Sequence, residues 1–206
     1  MSAATPYRPS RTDALGILVF MVVGAGILIW TAIGSAARIM QVLLGEDVPV
    51  TARFIDTRVE APIGPGGSPV PVELDTAILT PEELPGASVV AALLEPAVLL
   101  ATVATVIVCL LILARNILRG RVFSRGNTVL VSVAGITGLV GFALVPMLGN
   151  MVANGAVARM SDYGFENTAV LAVEPFPFII AAFVFAIVAT AFTVGHRLQR
   201  DTEGLV

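Results

Sequence analysis

Lysine is absent from this chain: all twelve basic residues are arginine. A GC-rich genome accounts for that usage; guanidinium groups also suit phosphate, which they grip through several donors at once. The single cysteine, Cys109, lies inside an apolar run, so it has no partner for an intramolecular disulfide and reads as a small core hydrophobe. The single histidine, His196, excludes haem held by two histidines of one chain. No HExxH, paired-cysteine zinc spacing or Walker loop is present. No aspartate falls inside a long apolar run, which removes intramembrane aspartyl chemistry. His196 stands beside Arg197 in a polar tail and leaves no Ser/His/Asp arrangement. The expectation is a protein that is not an enzyme and uses no cofactor or metal.

Charge is scarce as well, at 13 % of residues against about 25 % in an ordinary soluble domain. Apolar residues reach 56 % and the mean hydropathy is +0.91. A soluble core of 206 residues needs far more polar surface to cover it, so the bilayer is the solvent for most of this chain. A helix rises ~1.5 Å per residue, and ~20 apolar residues cross the ~30 Å hydrocarbon layer. Four stretches qualify: Leu15–Ala37 (continuing toward Leu44), Val89–Ala114, Thr128–Val152 and Pro175–Val194. Leu15–Ile33 runs uninterrupted for 19 residues, longer than the ~7–15 of a signal-peptide core. It is therefore expected to remain as an anchor, despite Arg8, Arg11 and the small residues Ser35-Ala36-Ala37.

Arginine asymmetry gives the expected orientation. Arg8 and Arg11 precede the first span, Arg115, Arg119, Arg121 and Arg125 fill the connection between the second and third, and Arg197 and Arg200 follow the fourth. Gly45–Ala87 instead carries eight carboxylates against Arg53 and Arg58, and Asn154–Thr168, read as a loop, has only Arg159. Both termini and the arginine connection are expected in the cytoplasm, with residues 45–87 outside. The fold class is thus an all-α membrane protein: one domain of four transmembrane helices, with a short extracytoplasmic hairpin-like segment between the first two. The expected location is the bacterial inner membrane.

Within the outer segment, Val48–Val59 and Val70–Leu79 are rich in β-branched residues, and Ala61–Ser68 between them is turn chemistry. A lone hairpin is marginal in water, so it either lies on the helix ends or pairs with another chain. Pro69 and Pro71 argue that the second strand is short or at an edge. Thr80-Pro81-Glu82-Glu83 reads as the start of a short helix that Pro85 and Gly86 then stop. On the arginine side, Ser124 or Asn127 caps the third helix.

Three ionisable residues stand in or beside the spans: Arg38, Glu95 and Glu174. Such groups are costly in a bilayer unless paired, so each marks a structural pair, an ion path or a solvated position at headgroup level. The simpler expectation is that Arg38 pairs with Glu95 or Glu174. Gly135, Gly138 and Gly141 recur on the third span and favour close packing, inside the bundle or at a homodimer face.

Gly120-Arg-Val-Phe123-Ser124-Arg-Gly-Asn127, and the ending from Gly195 through Leu198 and Gln199 to Val206, resemble the bacterial four-span membrane family known as domain of unknown function 2975. The resemblance covers essentially the whole chain. Its tail departs from the usual pattern, because Arg200 intervenes before Asp201. Members have no assigned activity, and the resemblance implies partnership with a small helix-turn-helix regulator. The expected site is then a cytoplasmic face of Arg115, Arg119, Arg121, Phe123, Arg125, Asn127, Leu198 and Gln199, docking that regulator or anionic lipid. Phe123 is a headgroup-level anchor or a partner contact. No direct binding of nucleic acid is expected. The rival expectations are a small ion or solute transporter or channel component built around Glu95 and Glu174, and an accessory subunit of a larger membrane complex or homo-oligomer.

Overall fold

The computed structural model describes residues 11–45, 48–161 and 175–203. Among these residues there are four long helices: α1 (Arg11–Leu44), α2 (Gly86–Leu118), α3 (Arg125–Met160) and α4 (Pro175–Glu203). Strands β1 (Val50–Ala61) and β2 (Val70–Leu79) form a two-stranded antiparallel sheet. All four helices are long and apolar enough to cross a membrane. The shortest has 29 residues, roughly 44 Å of helix, so each exceeds the hydrocarbon thickness. The large side chains of α1 and α4 are mostly uncovered by protein; Trp30, for example, is 82 % exposed. An apolar surface of that extent needs an apolar solvent.

The chain divides into two compact units. One comprises Met1–Gly34, Leu99–Ala143 and Pro175–Val206. In it the α3 glycines lie under neighbouring side chains of the same chain. A Cβ on Gly135 would overlap the Phe185 ring of α4, one on Gly141 would overlap Thr102 of α2, and one on Gly138 would touch Val106 at 3.8 Å. The small residues therefore serve packing within the chain, where missing side chains let helices approach closely.

The other unit comprises Ser35–Val98 and Leu144–Glu174. Val48, Val50, Ala52 and Phe54 of the hairpin are buried with Val42 of α1, Ala91 and Ala92 of α2, and Leu148, Val152, Ala153, Ala156 and Val157 of α3. The hairpin thus lies on helix ends of its own unit, which supplies the support an isolated pair of strands lacks. A register shift between Arg53 and Thr57 re-phases it. Before the shift the even positions 50, 52 and 54 face inward; after it 57, 59 and 61 are the half-buried ones. β2 changes phase in step, from 70, 72 and 74 to 77 and 79, so both strands keep one face on the core. Gly66 and Gly67 take φ of 68° and 81° in the turn, a conformation that favours glycine.

Several sequence expectations need correction. Thr80–Glu83 forms no helix; α2 begins only at Gly86. Pro85 biases Leu84 away from helical angles, which leaves only Pro81–Glu83, too short for a helical turn. Pro85 instead contributes its carbonyl, which accepts from the Ser88 and Val89 amides. Asn154–Met160 belongs to α3 and not to a loop. Burial of Ala153, Ala156 and Val157 and the close fit of Gly155 against Ser88 outweigh the polar residues that suggested an end at Val152. β1 runs from Val50 to Ala61, two residues later than read. Of the two residues read as the cap of α3, Ser124 takes the role: its hydroxyl accepts from the Asn127 amide at 3.2 Å.

Arg159 of α3 meets Glu83 at 3.6 Å, with both side chains largely exposed. Exposed pairs of this kind contribute about 0–1 kcal/mol. Replacing Arg159 by Gln should therefore change thermal stability in detergent by no more than about 1 kcal/mol; a larger loss in a melting experiment would show that this pair anchors the α2 approach.

Candidate functional site

The arginine connection is a fixed turn. α2 ends at Leu118, and Gly120 follows with φ 74°. The Gly120 amide donates to the Ile117 carbonyl at 2.9 Å and the Arg121 amide to the Asn116 carbonyl at 3.0 Å. This pair of bonds closes a helix end in the Schellman manner, satisfying carbonyls that the last turn leaves open. After the six residues 119–124, α3 begins at Arg125 under its Ser124 cap.

Asn127 holds the two ends together. It is 0 % exposed, with no other side chain so large as fully buried among the described residues. Its Nδ2 donates to the Arg121 carbonyl at 2.6 Å and the Val122 carbonyl at 2.8 Å. Its Oδ1 accepts from Asn116 Nδ2 on α2, also at 2.8 Å. Both amide protons and the amide oxygen are satisfied, which is the condition under which a buried polar group stabilises a structure. Asn116 lies at the end of a seven-residue series on α2, Ser88, Glu95, Thr102, Cys109 and Asn116, and Asn127 begins a matching series on α3, Ala134, Gly141, Leu148 and Gly155. A seven-residue spacing keeps one helix stripe on a neighbour, so an antiparallel pair in this register brings the two asparagines face to face.

Phe123 ties the turn to α4. Its ring lies where a Cβ on Gly195 would fall, at 2.5 Å from Cδ1. It also meets the Phe192 ring with centroids 5.8 Å apart and a 60° tilt. His196 Nδ1 is 3.3 Å from the Phe123 carbonyl, a hydrogen bond when that nitrogen carries the proton. Phe123 keeps 39 % of its surface uncovered.

The four arginines around this core, Arg115, Arg119, Arg121 and Arg125, are all exposed, and none forms an ion pair among the described residues. Leu198 is exposed one turn beyond Gly195. Gln199 lies in α4, but its side chain is outside the described groups, and Glu174 lies outside the described residues. Sequence reading therefore found the arginines, Phe123 and Asn127, and missed the parts played by Asn116, Phe192 and Gly195. The seven-residue series ending at Asn116 was the available signal.

The second polar group is in the other unit. Arg38 donates to Gln41 Oε1 at 3.1 Å and to the Pro49 carbonyl at 2.9 Å. It forms no close ion pair with Glu95 among the described residues, and Glu174, the other expected partner, lies outside them. Glu95 itself lies against Gly149, whose Cβ would sit 3.3 Å from Oε1. No cluster of three or more metal-ligating side chains occurs among the described residues.

No family model, no curated protein and no solved structure matches this chain.

Proposed function

We propose that the chain is a non-enzymatic multi-pass protein of the bacterial inner membrane whose arginine-rich end faces the cytoplasm and docks a small helix-turn-helix regulator. The hairpin and its carboxylates then face outward. The observation that carries this reading is the clamped turn. Setting topology needs only positive charge near the span ends. Here the turn is instead fixed by a fully bonded Asn127 and by Phe123 packed on Gly195. A rigid display of arginines lowers the ordering cost of binding a partner.

An ion or solute path around Glu95 is the rival. Its neighbouring cation, Arg38, is engaged by Gln41 and Pro49, an arrangement that suits the fastening of the α1 end to the chain entering the hairpin.

The test places a photo-crosslinking residue at position 198, which is 60 % exposed, in the full chain in native membranes. The expected result is an adduct with a small DNA-binding regulator. Its yield at limiting partner should fall roughly tenfold when Arg119, Arg121 and Arg125 become Gln, at about 0.5 kcal/mol for each exposed charge pair lost. An undiminished adduct in the triple variant would sink the proposal, as would the absence of any regulator adduct.

A further inference from the structure

We infer that the arginine-rich end of α2 and α3 is a binding site for anionic phospholipid, gripped by phosphate at the turn and by acyl chain along the two helices. The juxtaposition that points to this is a basic head above an apolar stem, present on both helices. On α2, Val108 and Ile112 are exposed on the turns that lead to Arg115 and Arg119. On α3, Val129 and Val133 are exposed at four and eight residues after Arg125. Residues three, four and seven apart share a helix face, so each arginine set sits on its own apolar stripe.

The chemistry of the occupant follows from the pair of features. Guanidinium groups bind phosphate through several donors, and these four have no carboxylate partner among the described residues. No acidic residue lies between Arg115 and Arg125 to compete. A free anion, or an acidic peptide at the water surface, would use the arginines alone and leave the valines and Ile112 to unselected bilayer lipid. A phospholipid covers both, because its phosphate and its chains have the same vertical order as the side chains. The turn is already fixed by the Gly120 helix cap and the Asn127 clamp, so the backbone carrying the arginines is ordered before the lipid arrives. This inference rests on α2 and α3 crossing a bilayer, as the proposed function requires, but it needs neither the regulator nor a particular side of the membrane.

The experiment is native mass spectrometry of the full chain, released from nonionic detergent after incubation with dioleoylphosphatidylglycerol or dioleoylphosphatidylcholine. Phosphatidylglycerol should be retained preferentially, and each arginine changed to Gln should lower that preference by about fivefold. Inorganic phosphate should leave the lipid adduct in place, and Val129→Ser with Val133→Ser should weaken retention of the lipid. Equal retention of the two lipids would overturn the inference, as would an unchanged preference in the variant lacking all four arginines. Displacement by inorganic phosphate would also overturn it, marking the site as one for free anions. Melting curves of each variant in detergent show that the fold survives. A lipid preference that persists while the crosslinked regulator is never found removes the proposed partner alone.

Discussion

Replacing Asn127 by Asp should lower the stability of the whole chain by about 3 kcal/mol or more. The exchange keeps size and shape and changes one group: the amide nitrogen that donates to the Arg121 and Val122 carbonyls becomes an oxygen. If the acid is ionised, a negative charge faces two carbonyl oxygens in a site with no exposure; if it is protonated, at most one of the two donors is restored. Each buried acceptor left unsatisfied costs about 1–3 kcal/mol. At about 2–4 °C per kcal/mol for a chain of this size, the melting temperature in detergent should fall by roughly 10 °C. Asn116→Ala should be milder, since it removes one bond at 2.8 Å and leaves both loop carbonyls satisfied. Equal melting temperatures for the Asp variant and the parent would mean that Asn127 does not clamp the turn.

The second large effect is expected at the joint between turn and tail. Gly195→Val places a side chain where the Phe123 ring lies, 2.5–2.9 Å from three of its carbons. The ring must leave, taking with it the contact to Phe192 and straining the His196 bond to the Phe123 carbonyl. Overpacking of this kind costs about 1–3 kcal/mol, and a lost aromatic pair about 0.5–1.5 kcal/mol more. The diagnostic is a double-mutant cycle. Phe123→Ala alone should destabilise, yet in the Gly195→Val background it should recover part of the loss, because the new isopropyl group fills the space the ring held. Additive losses would show that the two residues do not share that space.

These two positions mark where the sequence was readable and where it was not. Four apolar runs gave the number of long helices, because burial in hydrocarbon leaves a local compositional trace that needs no partner. The turn at Ala61–Ser68 was equally local, since glycine and proline act through their own backbone angles. Helix ends were harder. α3 continues eight residues past Val152 because Gly155 and Ala156 fit against α2, a tertiary effect invisible in the run itself. The short helix suggested at Thr80 failed for a reason that was in plain view: Pro85 constrains Leu84 and leaves too few residues for a turn. The candidate site divides the same way. Its arginines are conspicuous as charge. Its rigidity depends on Asn116 meeting Asn127 and Phe123 meeting Gly195, pairs that are 11 and 72 residues apart and are set by helix register. The bulge in β1 shifts which residues face inward without any glycine or proline to announce it.

The orientation of the arginine end is the point on which the proposed role turns, and paired reporter fusions measure it most directly. One fusion joins the chain after Gly66 in the hairpin turn, the other after Val206. A phosphatase that works only outside the cytoplasm should be active at Gly66 and silent at Val206, and a fluorescent protein that matures only in the cytoplasm should give the opposite pattern. Phosphatase activity at Val206 with cytoplasmic fluorescence at Gly66 would put the arginine-rich end outside, where no cytoplasmic regulator reaches it.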